Sequence, residues 1–135
     1  MKLPKSRAKT ALGLLRAAKR AILEEPVRCN MGVVVDRDSA TNRRKPDCGA
    51  VGCVGGWCLI LAGKTETGQY IPGDTSAARK LLGLSPVQEE ELFYPVRLVH
   101  ATSKQTPEHA LAVAEHIEDF IRRNKKQLKT ALLYT

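Results

Sequence analysis

Aromatic side chains are scarce in this chain: one Trp, three Tyr and two Phe among 135 residues. The core must therefore be built from aliphatic and small side chains. Long apolar runs are missing too. None approaches the roughly 20 residues that a membrane-crossing helix needs. The N-terminus is basic, but Arg16, Lys19 and Arg20 break up the apolar residues that a secretory signal would require. A cytoplasmic protein with no membrane contact is the expectation. Nucleotide-binding loops are absent from the pattern as well. There is no GxGxxG, and the glycine-rich residues 48–56 do not end in Gly-Lys-Ser/Thr. The C-x2-C pairs of many zinc sites are absent among the four cysteines.

What is present is one stretch unlike the rest. Residues 48–63 are almost entirely small or apolar, in a chain where 27% of residues are charged. The stretch reads as a buried central helix over 49–62, with Asp47 as its N-cap and Gly63 as its stop. Gly49, Gly52, Gly55 and Gly56 fall inside it. Each costs about 0.8–1 kcal/mol relative to Ala in a helix interior. Close approach of neighbouring helices to this small-residue surface would offset that cost. Val51, Val54, Trp57, Leu59, Ile60 and Leu61 would fill the remaining space. The rival reading, a phosphate loop over 48–56, lacks the motif endings noted above.

The same stretch, Cys48-Gly-Ala-Val-Gly-Cys-Val-Gly-Gly-Trp57, resembles the Cys-Gly-Thr-x-x-Cys-x-Ala-Gly-Trp signature of small uncharacterised proteins from bacteria and their phages. Ala50 stands where that signature has Thr, and Gly55 where it has Ala. Met31 ahead of the signature, residues 78–84 and Leu92-Phe93 behind it, and Thr106-Pro107 opening a last helix follow a similar order. The resemblance thus covers most of the chain. It implies a helical fold and a mobile-element setting, and it supplies no catalytic residue.

Charge is the second organising feature. The net charge is +8, and residues 1–30 carry eight Lys/Arg against two Glu. That asymmetry favours an acidic partner: nucleic acid, an acidic protein or a nucleoprotein. Residues 6–25 have the period of an amphipathic helix, with Ala8, Ala11, Leu15, Ala18 and Ile22 on one face and Leu14 bordering them. Ser6 is the expected N-cap and Pro26 the stop. Lys9, Arg16 and Arg20 align on another face, and Lys5 extends the line. Arg43, Arg44 and Lys45, in a polar loop, could extend the same charged surface. These seven residues are the candidate contacts to nucleic acid or an acidic partner. The face carries no interleaved aromatics, which argues against base stacking. The plain alternative is a solvated face that serves solubility.

The remaining elements follow from caps and breakers. Val33 to Val35 suits a short β ribbon, with 69–71 as a candidate partner. A helix over 76–82 starts at Asp74 or Thr75 and ends at Gly83. Ser85, Pro86 and Gln88 form a capping-box start for another helix, which runs to about Phe93 before Pro95. Leu81, Leu82, Leu84, Leu92 and Phe93 belong to the core. Thr106-Pro107 opens the last long helix. Its apolar face is Ala110, Leu111, Ala114, Ile117 and Ile121, and Glu108 and Glu115 face outward. Glu118–Arg122 and Asp119–Arg123 are favourable i,i+4 pairs. The tail from Asn124, with Leu128, Ala131, Leu132 and Leu133, docks as a last turn or two. The expected architecture is therefore mainly α: a single domain over 1–135 around the buried helix, with one short β ribbon and frayed ends at 1–5 and 134–135.

Catalytic chemistry finds little footing. Cys48, Cys53 and Cys58 are five residues apart, so successive thiols on a regular helix diverge by about 140° and cannot share one ion. They read as buried small hydrophobes. A Cys29–Cys48 disulfide conflicts with a reducing cytoplasm. Cys48 near a helix start could serve as a nucleophile with His100, His109 or His116 as base, but nothing local selects one. His109 and His116 stand about 10 Å apart along a helix axis, too far for a shared metal, and read as exposed. Glu89, Glu90 and Glu91 read as a solvated acidic run. The leading expectation is a non-catalytic binding protein of a bacterium or phage, with no cofactor, contacting nucleic acid or a nucleoprotein. The alternatives are a small protein-binding regulator, such as a phage inhibitor of a host defence complex, and last a cysteine-dependent enzyme.

Overall fold

Caps and breakers set most of the helix ends. The computed structural model describes residues 6–26, 35–36, 51–63, 75–99 and 106–133, and these are mainly helical. In chain order the elements are α1 (Ala11–Glu24), β1 (Val35–Asp36), β2 (Val51–Gly52), α2 (Val54–Leu61), α3 (Ser76–Leu82), α4 (Pro86–Phe93), the single turn α5 (Val96–Val99) and α6 (Pro107–Thr130). Ser85 caps α4 in a complete capping box: its hydroxyl accepts from the Gln88 N–H, and Gln88 Oε1 accepts from the Ser85 N–H. Thr106 caps α6 through the His109 N–H, and Pro107 takes the first helical position. Gly63 and Gly83 lie just past α2 and α3 at φ of 71° and 70°, the left-handed region that glycine enters without a Cβ clash.

Two expected helix starts are corrected. The central helix begins at Val54, capped by Cys53, and not just after Asp47. Val51 and Gly52 are instead extended and pair antiparallel with β1, Val35 opposite Gly52 and Asp36 opposite Val51. A β-branched residue and glycines gain little from helix and lose little by leaving it, so this long-range pairing prevails. A ribbon is present at Val35–Asp36, with Val51–Gly52 as its partner; Val33 and Val34, also expected in it, lie outside the described residues. Asp47 and residues 69–71 lie outside the described residues.

The first helix begins at Ala11, not near Ser6. Thr10 is the N-cap, its hydroxyl accepting from the Gly13 N–H at 3.2 Å. Ahead of it the chain is held by its neighbours. The Ser6 N–H donates to the Leu61 carbonyl at 2.7 Å, the Leu133 N–H to the Lys9 carbonyl and the Ala11 N–H to the Ala131 carbonyl, both at 2.9 Å. The expected cap Ser6 accepts from the Ala8 N–H within a local turn instead. The bonds at 9–11 and 131–133 place the start of α1 beside the end of α6, so the two helices run antiparallel.

Among the described residues the core is aliphatic with three large rings. Trp57, Phe93 and Phe120 are almost fully buried, among Leu14, Leu15, Ile22, Ile60, Leu82, Leu92, Ile117, Ile121 and Leu128. α1 packs chiefly on α6 and next on α2, and α2 also packs on α3 and α4. Every side chain of α2 is buried. At Gly55 a Cβ would stand 3.3 Å from Thr75 Cγ2 and 3.5 Å from both Ala78 Cβ and Phe93 Cδ1. The close approach expected of the small-residue helix is realised there, by α3 and α4.

Several finer placements differ. Leu111, expected on the buried face of α6, is 55% exposed, and Val113 and Phe120 fill that face instead. The tail continues α6 to Thr130 across a break at Asn124 (φ −129°, ψ 20°). There Asn124 Nδ2 donates to the Phe120 carbonyl, the bond partner that a regular helix would reserve for the backbone N–H. Leu128 docks fully, whereas Leu132 is exposed. His109, expected at the surface, is buried at 4% exposure in the first turn of α6. Among the described residues no helix is long and apolar enough to cross a membrane.

Candidate functional site

The basic face of α1 follows from its periodicity. Ala11, Leu14, Leu15, Ala18 and Ile22 turn inward against α6 and α2, which leaves Arg16 and Arg20 exposed one turn apart on the outside. Lys19 lies beside them but reaches across to α6, where its ammonium donates to Glu118 Oε1 at 2.8 Å. That hydrogen bond first, and the charges of Lys19, Arg16 and Arg122 after it, hold the Glu118 carboxyl below the usual glutamate range. Arg16, Lys19, Arg20, Leu23 and Glu118 line one shallow groove of about 300 Å³ between the helices.

Of the seven residues expected to contact a partner, the fold brings Arg16 and Arg20 together. Lys9 is exposed but precedes the helix, in the stretch whose backbone bonds to Leu133, so it leaves the helical line drawn for it. Lys5, Arg43, Arg44 and Lys45 lie outside the described residues.

A second set of cations is found on α6. Arg122, Arg123, Lys125, Lys126 and Lys129 are all exposed along its C-terminal half. Asp119 pairs with Arg122 at 2.8 Å and with Arg123 at 3.3 Å, and Arg123 also meets Glu91 at 3.0 Å. Arg122 therefore pairs with Asp119, while Glu118 takes Lys19 rather than its expected i,i+4 partner. Lys125, Lys126 and Lys129 have no ion-pair partner among the described residues. A regional charge tally hides this set, because Glu108, Glu115, Glu118 and Asp119 nearly cancel it. The usable signal is the segregation of sign between the two halves of one helix.

Elsewhere the polar groups are engaged in holding the fold. Thr75 is buried, and its hydroxyl bridges Glu89 Oε2 at 2.7 Å and the Tyr94 hydroxyl at 2.9 Å. Arg79 meets Glu89 at 3.4 Å. Glu89 is thus turned toward α3 and is not part of a solvated run. His116 Nε2 lies 2.9 Å from the Glu91 carbonyl and 3.2 Å from that of Leu92, so this nitrogen carries the proton and caps the end of α4. Burial lowers the His116 pKa, and the two carbonyls oppose that shift. Cys53 and Cys58 are buried free thiols. Burial pushes both well above the ordinary thiol value. Cys29, Cys48 and His100 lie outside the described residues. Among the described residues no three His, Cys, Asp or Glu side chains are grouped to hold a metal ion. Comparisons with protein-family profiles, curated proteins and solved structures return no match for this chain.

Proposed function

We propose that this is a non-catalytic binding protein of a bacterium or phage that contacts nucleic acid, or a nucleoprotein, through the exposed cations of α1. The observation that carries the reading is the state of Arg16 and Arg20. Both are exposed on a helix whose opposite face is fixed in the core, and neither has an ion-pair partner among the described residues. Lys19 beside them is already matched by Glu118. Unmatched guanidinium groups on a rigid element suit phosphate oxygens, which they can engage bidentately. The bacterial or phage setting rests on the resemblance of the 48–57 signature.

The test is a mobility shift with labelled DNA and RNA at low salt. Wild type is expected to retard at least one of them, and Arg16→Glu with Arg20→Glu is expected to abolish most of the shift. No retardation of either polymer at low salt removes the reading. A lysate partner that survives nuclease treatment, in the absence of any shift, would support the protein-binding regulator instead.

A further inference from the structure

Resting on that reading, we propose that the C-terminal half of α6 is a second phosphate-binding row. With Arg16 and Arg20 it forms a two-helix face for the backbone of double-stranded nucleic acid, bound without sequence preference.

The geometry brings the rows together. α1 and α6 are antiparallel, tied at one end by the 9–11 and 131–133 backbone bonds and further along by Lys19–Glu118. Glu118 is influenced by Arg16 from α1 and by Arg122 from α6, so the two rows meet at this carboxylate. Arg122 follows Glu118 by four residues and Lys129 follows Lys125 by four, so each pair shares one side of its own helical segment. The break at Asn124 falls between the two pairs. The cations from Arg122 to Lys129 span about 10 Å at 1.5 Å per residue. A duplex strand places a phosphate every ~3.4 Å of its axis, so about three phosphates could lie along them.

The helix dipole does not account for the whole row. Dipole stabilisation is confined to about the last turn of a helix. Lys129 lies there, but Lys125 lies a turn earlier, exposed and with no ion-pair partner among the described residues. The class of nucleic acid follows from what accompanies the charge. Proteins that hold single strands pair a basic groove with aromatic platforms. The described rings, Trp57, Phe93 and Phe120, are in the core, and Tyr94 binds Thr75 at the end of α4. Neither row carries a ring. Lysines on a rigid helix read phosphate position and charge, not base edges.

The experiment is fluorescence anisotropy of the full chain with three labelled probes of about 20 nucleotides per strand: duplex DNA, duplex RNA and single-stranded DNA. Each is titrated from low to moderate salt. The duplexes are expected to bind more tightly than the single strand, and the DNA and RNA arms show which duplex is preferred. Lys125→Gln with Lys129→Gln should reduce the salt slope on duplex DNA by about 1.8, which is roughly a 60-fold loss at 0.1 M salt from counterion release alone. Both side chains are exposed, and circular dichroism of the variant checks that α6 is intact. A variant with wild-type affinity and slope overturns this inference and leaves the α1 reading standing. Tighter binding of the single strand overturns it as well. Wild-type protein that binds none of the three probes removes both.

Discussion

Substituting Gly55 tests how the fold accommodates its small-residue helix. Gly55→Ala should gain up to about 1 kcal/mol from helix propensity and reduced unfolded-state freedom. The new Cβ, however, would stand 3.3 Å from Thr75 Cγ2. Thr75 cannot swing away, because its hydroxyl is held at 2.7 Å by Glu89 and at 2.9 Å by Tyr94. Overpacking of this kind costs about 1–3 kcal/mol, so the net effect should lie between neutral and about 2 kcal/mol destabilising. Thr75→Ser removes the methyl and keeps the hydroxyl with both its bonds. In that background Gly55→Ala should become stabilising by about 0.5–1 kcal/mol, the propensity term alone. Urea unfolding followed by the fluorescence of buried Trp57 gives all four corners of the cycle. The coupling between the two sites should be at least about 1 kcal/mol. Gly55→Ala stabilising equally in both backgrounds would refute close packing of α2 on α3.

Burial of Cys53 and Cys58 predicts that neither alkylates in the native protein at pH 7–8 except at the rate of unfolding. Peptide mapping by mass spectrometry distinguishes them from Cys29 and Cys48, and fast native labelling of either would contradict the packing of α2. The lowered His116 pKa means that the folded state prefers the neutral ring. Its contribution to stability is therefore fully present above the unfolded value of 6.5 and is lost as pH falls below it toward the folded pKa. The difference in urea midpoint between wild type and His116→Gln should shrink between pH 7.5 and 5.5, and a gap constant with pH would reject the α4 cap.

Local chemistry was legible in the sequence and long-range pairing was not. Ser85-Pro86 with Gln88, Thr106-Pro107, Gly63 and Gly83 each act within one helical turn, and the structure uses all of them as read. The misplaced helix starts share one cause. Ser6 is by residue type the better cap, and the choice of Thr10 comes with residues 9–11 bonding to 131–133. Asp47 is a sound cap for a helix that the pairing of Val51–Gly52 with Val35–Asp36 moves to Val54. The α5 turn after Pro95 has too few residues to show a period. In the candidate site, Arg16 and Arg20 were legible because the helical period of α1 is strong. The α6 cations are hidden in a regional charge sum and emerge only when charge is read by position along the helix.

The salt dependence of duplex binding by the wild-type protein tests the functional account most directly. Four cations, Arg16, Arg20, Lys125 and Lys129, each engaging one phosphate, should give a plot of log Kobs against log salt with a slope of about −3.6 on duplex DNA. A slope near zero, or no binding at low salt, would contradict the account.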